Sequence, residues 1–598
     1  MDVERPEGTR NPRMGWGSDA IAQTLNAMGF EHVSLTPGAS FRGLHDSLVN
    51  FLGNRAPQLL LCVHEEHAVA LAHGWAKVTG RPMAVALHSN VGLMHATMAI
   101  FNAWCDRVPM LILGAQGPLD ATKRRPWVDW LHTTSDLPSL VRGYTKWDDQ
   151  PTSVGATLES LLRANVIACT APAGPVYVCL DAGVQEQELN DSVVLPHVAR
   201  FQPGQPAAPN PAMVKAAADL LATAARPLIL AGRSSRDEAA WSQRIALAEA
   251  ITARVVTDLR VGAAFPTRHR LHPHAPGLFI DDAAAATIRA ADVVLSLDFV
   301  DLAGTLTRAW GGAAPTSTII HCSVDQYAHN GWGKDHLGLP PVDIPLLASP
   351  DATVPLLLAA LEGRGREGRV SWPPATIHPP PPSGTGATAE SAGLPVARFA
   401  EVVAGSLRAH RPSYIRLPIG WPGRLCDFDH PLSYLGFDGG GGIGGGPGMA
   451  VGAALALRGS DRLPVAVVGD GDFLMGVTAL WTAVHYRVPL LMVVANNTSF
   501  FNDELHQDRV ARQRSRPAEN RWIGQRMSDP DFDIGMLARA QGAVGLGPAR
   551  TDDELTARLA EAIATVKSGG VAVIDARVLP EYDRATSSGV LRPAASAD

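Results

Sequence analysis

The sequence predicts an α/β protein of three doubly wound parallel sheets, each with helices on both faces. Short apolar runs alternate with helix-length segments along almost the whole chain, the pattern of strands buried on both sides. Two proline-rich stretches, 202–206 and 372–384, interrupt that alternation and cannot build a packed core. At 598 residues the chain also exceeds what one hydrophobic core serves, and calls for about three to four domains.

The elements follow in order. A first block over 15–187 contains an apolar strand at 59–63 that gives way to a helix with Glu65 at the junction. Within it lie a buried strand at 84–88, ending in a polar, glycine-containing turn, and a closing strand at 174–181. A linker at 188–210 leads to a second block over 211–365, with strands near 226–233 and 291–297. A second linker, 366–394, is stiff where proline dominates and flexible where glycine and serine follow. The third block, 395–585, holds a glycine-rich stretch at 438–448 feeding a small-residue helix, then apolar runs ending before Gly469 and Asn496; 586–598 is a tail.

Composition bounds the function classes. With 46% apolar and 18% charged residues the chain reads as an ordinary soluble protein. A net charge of −7 gives no electrostatic case for nucleic acid. No apolar run reaches the length of a membrane span, and the start Met1-Asp2-Val3-Glu4 is unlike a signal peptide, so a cytoplasmic location is expected. Six cysteines with no CxxC pair argue against a disulfide framework or zinc site.

The sharpest chemistry lies in Gly469-Asp470-Gly471-Asp472 and Asn496-Asn497. Asp470 and Asn497 stand 497 − 470 = 27 residues apart, about the chain that a strand, a helix and a second parallel strand need. Both side-chain oxygens then emerge at the carboxyl edge where such sheets bind ligands. Two hard oxygens side by side suit Mg²⁺. Together with Ser499, the segment resembles the cofactor signature of thiamine diphosphate enzymes of the 2-oxo acid decarboxylase and acetolactate synthase family.

That resemblance implies roles. Asp470, Asn497 and the main-chain oxygen of Ser499 would hold Mg²⁺, with the cofactor's diphosphate and a water completing the shell. Gly469 and Gly471 would let the phosphates approach the backbone. Asp472 belongs to the same cofactor-binding turn, its charge expected at a helix N-terminus or in solvent. Upstream, Gly442 and Ile443 match the loop that sets one bulky side chain between the cofactor's two rings. Glu65 matches the activating glutamate, nine residues before the glycine of a Gly-aromatic-Ala turn at Gly74 (74 − 65 = 9). A carboxyl in apolar surroundings there would share a proton with a ring nitrogen. Glu66 is expected to face solvent or a neighbouring chain. His64, Glu65 and His67 do not make a zincin pattern, which needs histidines four apart.

His88 falls at the end of its strand, and the following run resembles the benzoylformate decarboxylase branch, which places an active-site histidine there. Neutral imidazole at that point can relay a proton. His73 and His95 fall inside helices with no partner apparent in sequence. The early loop at 36–41, Thr-Pro-Gly-Ala-Ser-Phe, looks instead like acetolactate synthase. The family's architecture implies pyrimidine-binding, central and diphosphate-binding domains. The cofactor would be held between subunits, so that the assembly is a homodimer at minimum and commonly a homotetramer. FAD or ADP in the central block is possible but not favoured. The family chemistry attacks a 2-oxo carbonyl and uses the cofactor as an electron sink while carbon dioxide leaves. Decarboxylation of a 2-oxo acid is the preferred reading. An acetolactate synthase-like carboligase, a 2-hydroxyacyl-CoA lyase or oxalyl-CoA decarboxylase-like enzyme, and a non-catalytic cofactor-binding relative stay open. The arginines between 509 and 526 suit either a polyanionic substrate or a solvated helix of mixed charge. A nicotinamide site is disfavoured, because the glycine stretch lacks the strand-GxGxxG-helix context with a following acid.

Overall fold

The computed structural model describes residues 3–8, 13–190, 193–325, 339–364, 372–373 and 393–582. Nearly all of the expected 366–394 linker, and the whole tail, lie outside the described residues.

Three parallel sheets follow one another along the chain. The first comprises β1 (His32–Leu35), β2 (Gln58–Leu61), β3 (Ala84–His88), β4 (Met110–Gln116), β5 (Asp148–Asp149) and β6 (Pro175–Asp181), ordered β2-β1-β3-β4-β6-β5. The second comprises β7 (Pro227–Ala231), β8 (Arg254–Val256), β9 (Val293–Leu297), β10 (Thr318–Cys322) and β11 (Ile344–Leu346), ordered β11-β10-β9-β7-β8. The third comprises β12 (Pro412–Arg416), β13 (Leu463–Gly469), β14 (Leu490–Asn496), β15 (Val544–Ala549) and β16 (Val571–Arg577), ordered β12-β13-β14-β16-β15. Neighbouring strands pair in parallel throughout.

The period of two along a strand explains why these runs are apolar from end to end. In β4, Leu111 and Leu113 enter one core while Met110 and Ile112 enter the other. In β13, Val465 and Val467 face one side, Ala466 and Val468 the opposite side. The core beneath Met110 and Ile112 is the same one that receives Ala466 and Val468, so the first and third sheets share a layer of helices. The second sheet has two cores of its own.

Two glycines make the shared layer possible. The helix Glu65–Thr79 crosses the helix Gly446–Ala456. A Cβ on Gly74 would stand 2.0 Å from the carbonyl oxygen of Met449, and one on Gly452 would stand 1.8 Å from that of Leu71. The Gly-Trp-Ala run at 74–76, expected as a turn, therefore sits inside the helix, which ends at Gly80 with φ +66°. Glycine is needed there because another backbone passes against it, at a helix-propensity cost of about 1 kcal/mol.

Candidate active site

β13 and β14 run side by side with Gly469 opposite Ala495, so Asp470 and Asn497 leave the same edge of the sheet together. Asp470 opens the helix Asp470–Gly476 and is buried, with 3% of its surface exposed. Its Oδ1 accepts the backbone N–H of Gly471 at 2.8 Å, while Oδ2 is buried with no hydrogen-bond partner. Burial pushes its carboxyl up to about 6, against the pull of the backbone amides of Gly471, Thr498, Ser499 and Asn497. Thr498, at φ +55°, turns the chain so that Ser499 N–H donates to Asn497 Oδ1 at 3.0 Å. A buried carboxylate oxygen lacking a proton donor, beside an amide oxygen, is a donor set that fits a hard cation.

Behind this pair sits a buried residue that sequence reading passed over. Arg416, at the end of β12, pairs with Asp438 and lies 3.0 Å from Asp472 Oδ2. Asp472 Oδ1 in turn accepts the N–H groups of Gly444 at 2.7 Å and Gly446 at 3.2 Å. Its carboxylate thus meets the N-terminus of the Gly446–Ala456 helix, and it ties the glycine loop to the Asp470 turn. Asp438 and Asp472 are both buried, and a guanidinium between them offsets the cost of burying two like charges. Ile443, Asp470, Asp472, Gly469, Gly471, Asn497 and Ser499 all line one cleft of about 400 Å³. Gly442 instead packs on the first domain: a Cβ there would meet the Met98 side chain at 2.4 Å.

The first domain carries the second cluster. Glu65 begins its helix, with His64 as N-cap accepting the N–H of Glu66 at 3.1 Å. Glu65 Oε2 lies 3.0 Å from His95 Nδ1, which gives His95 the partner that the sequence did not show. His73 also has one, bonding Asp106 at 2.7 Å. Donor atoms of His64, Glu65 and His95 fall within 4.8 Å of one another, so the third member of that cluster is His95 and not His67. Glu66 turns toward its own chain's glycine loop; its Oε1 would lie 3.6 Å from a Cβ on Gly444. Burial and the neighbouring Asp472 raise its pKa.

His88 ends β3 and is held by the early loop. Its Nδ1 lies 2.8 Å from Ser40 Oγ, and a Cβ on Gly38 would overlap its ring at 2.1 Å. Burial and the neighbouring His132, whose ring centroid is 4.8 Å away, lower the pKa of His88 and keep it neutral at pH 7; Glu65 opposes that shift. Glu65 and His88 do not line the Asp470 cleft, whose walls all come from residues 396–582. Three arginines of the 509–526 stretch pair with acids just before it: Arg512 with Asp508, Arg521 with Asp508 and Glu504, Arg526 with Glu504.

Three family models match in the order of the sheets: the thiamine pyrophosphate enzyme N-terminal TPP binding domain over 15–140, the central domain over 214–357 and the C-terminal TPP binding domain over 419–576. The chain belongs to the thiamine pyrophosphate enzyme family. Benzoylformate decarboxylase of Pseudomonas aeruginosa is 25% identical over 527 residues, spanning 84% of this chain and 89% of the relative. The probable acetolactate synthase large subunit of Methanocaldococcus jannaschii is 25% identical over 565 residues, 92% of this chain and 90% of the relative. Among solved structures, benzoylformate decarboxylase from Polynucleobacter necessarius superposes with a TM-score of 0.79 at 21% identity, covering 95% of this chain and all of the other. The thiamine diphosphate-dependent 4-hydroxybenzoylformate decarboxylase of Rhodococcus jostii gives a TM-score of 0.74 at 22% identity, covering 95% of this chain and 99% of the other. These likenesses support an enzyme dependent on thiamine pyrophosphate, of the decarboxylase or acetolactate synthase type. Among the described residues no helix is long and apolar enough to cross a membrane.

Proposed function

We propose that this chain is a Mg²⁺- and thiamine diphosphate-dependent enzyme that decarboxylates a 2-oxo acid, acting as a homodimer at minimum. The observation that carries the reading is Asp470 Oδ2, a buried carboxylate oxygen without a partner at the head of a cleft. Asp470, the side-chain oxygen of Asn497 and the main-chain oxygen of Ser499 would hold the metal. Gly469, with nothing within 4 Å of a Cβ built on it, leaves the backbone open to a diphosphate, whereas a Cβ on Gly471 would meet the Phe500 ring at 2.7 Å; Ile443 stands in the same cleft to shape what binds. Thiamine diphosphate supplies a nucleophilic carbon and an electron sink for loss of carbon dioxide. Glu65 would hold a proton against its pyrimidine nitrogen. His88, with Nδ1 committed to Ser40 and its ring neutral, would move a proton through Nε2. The domain limits 15–187, 211–365 and 395–585 are part of this proposal.

Glu65 lies outside its own chain's cleft, and Val63, two residues before it, and Val91 and Met94, each next to a residue that touches it, are exposed. That favours a site completed by the Glu65 of a second copy. Carboligation of the acetolactate synthase type is the second reading, carried by the 36–41 loop and the relatives of that name. A screen of 2-oxo acids with thiamine diphosphate and Mg²⁺, following both carbon dioxide and the organic product, tests both. Carbon dioxide with an aldehyde supports decarboxylation, a hydroxyketone supports the second reading, and no turnover with any 2-oxo acid refutes both.

A further inference from the structure

We propose that the helix Ser89–Cys105 carries a cradle for Glu65, in which His95 is a positioning residue and Gly92 the space that lets the carboxyl settle. The proposal rests on the reading of Glu65 as the activating acid and adds how that acid is held.

Gly92 and His95 are three residues apart and therefore share one face of their helix. Glu65 lies across that face. A Cβ on Gly92 would stand 3.2 Å from Glu65 Cγ and 3.3 Å from Oε1, so any side chain there would press on the carboxyl. One turn further on, His95 Nδ1 lies 3.0 Å from Oε2. With a carboxylate as acceptor the ring nitrogen donates, and this fixes the tautomer. Oε2 is thereby tied, and Oε1, over Gly92, is the oxygen left to meet a ring nitrogen.

The His95 ring is itself held. It stacks on His64 with centroids 5.2 Å apart and planes at 17°. His64 is the N-cap of the Glu65 helix, so one imidazole both caps that helix and braces the donor to its first side chain. His95 gains little from burial, because 59% of its side chain is exposed. A residue whose only task was packing would not be placed so openly with its polar atom on the carboxyl.

The test separates donation from packing. His95→Phe keeps a flat ring for His64 and removes the donor; His95→Asn returns an N–H near the place of Nδ1. With the full-length protein, Mg²⁺ and thiamine diphosphate, His95→Phe is expected to lower kcat by roughly 10-fold or more, the rate equivalent of a coupling between residues in contact. Exchange of the thiazolium proton, followed by NMR, should slow in parallel, while cofactor affinity by calorimetry and the melting temperature stay near the parent's. His95→Asn should recover most of the loss, and Gly92→Ala should reproduce it. In a Glu65→Gln background, His95→Phe should cost nothing more. Parent-like kcat in His95→Phe alongside a slow Glu65→Gln overturns the cradle and leaves Glu65 in place. Additive losses also overturn it. Parent-like exchange and turnover in Glu65→Gln overturn the reading of Glu65 and the cradle with it.

Discussion

Adding one methyl group at Gly452 tests whether the close crossing of two helices holds the site together. In most helix interiors Gly→Ala gains about 1 kcal/mol. At Gly452 the new Cβ would stand 1.8 Å from the Leu71 carbonyl oxygen and 2.6 Å from its carbon. Cβ contacts do not fall below 3.0 Å, so the helices must part by about 3.0 − 1.8 = 1.2 Å. The obstacle is helix backbone and cannot swing aside. Overpacking of this kind costs about 1–3 kcal/mol, occasionally more, which outweighs the propensity gain. Gly405 supplies the control: it sits in the helix Val396–Leu407 with nothing within 4 Å of its missing Cβ. We expect Gly405→Ala to raise the melting temperature and Gly452→Ala to lower it. A scale of about 2–4 °C per kcal/mol applies to domains of 150–250 residues. Because the Gly446–Ala456 helix carries the glycine loop at its N-terminus, Gly452→Ala should also weaken cofactor binding by calorimetry. Equal upward shifts for both variants would refute the reasoning.

Three further outcomes are expected. Thiamine diphosphate with Mg²⁺ at about a hundred times the dissociation constant should add roughly 2.7 kcal/mol of stability to the parent, seen as a thermal shift; Asp470→Ala should lose that shift, and its persistence would remove Asp470 from the metal site. Mixing Glu65→Gln chains with Asp470→Ala chains should restore activity in hybrid dimers, which carry one intact site, whereas continued inactivity in demonstrated hybrids would place Glu65 and Asp470 in the same chain's site. His272 is buried, bonded to Thr257, and lowered by burial to about 4 from an ordinary 6.5. The unfolded chain therefore takes up a proton there that the fold does not, so stability falls as pH drops from 6.5 toward 4, by about 3 kcal/mol in full. In urea titrations His272→Gln should show a shallower loss between pH 7 and pH 5, and an unchanged slope would refute the assignment.

The strands and the shared sheet edge of Asp470 and Asn497 were legible because both depend on local pattern and spacing. Near-continuous apolar runs imply strands buried on two faces, and 27 residues between Asp470 and Asn497 imply one sheet edge. What the sequence did not reveal depends on non-local approach. Arg416 is 22 residues from Asp438 and 56 from Asp472 (438 − 416; 472 − 416), and only the order of β12, β13 and β14 brings the three together. His95 carries no spacing signal toward Glu65, since their helices follow β2 and β3, which meet only through β1 between them. The Gly74 run was misread as a turn because glycine signals both a bend and a close crossing, and only the partner helix distinguishes them.

The shared core bears on the proposed completion of the site by a second copy. The Glu65–Thr79 and Gly446–Ala456 helices lie in a single buried cluster, with Leu71, Met449 and Ala453 at its crossing. Interiors packed at such density resist sliding, and at Gly74 and Gly452 backbone meets backbone. The Glu65 helix is therefore fixed relative to its own glycine loop, in a position where Glu66 faces that loop and Glu65 faces the His95 cradle. Closing Glu65 onto the Asp470 cleft of the same chain would require breaking this layer. Apposing two copies so as to cover the exposed Val63, Val91 and Met94 would cost no core contact and would bury apolar surface. The balance of those terms is the physical argument for the proposed assembly between chains.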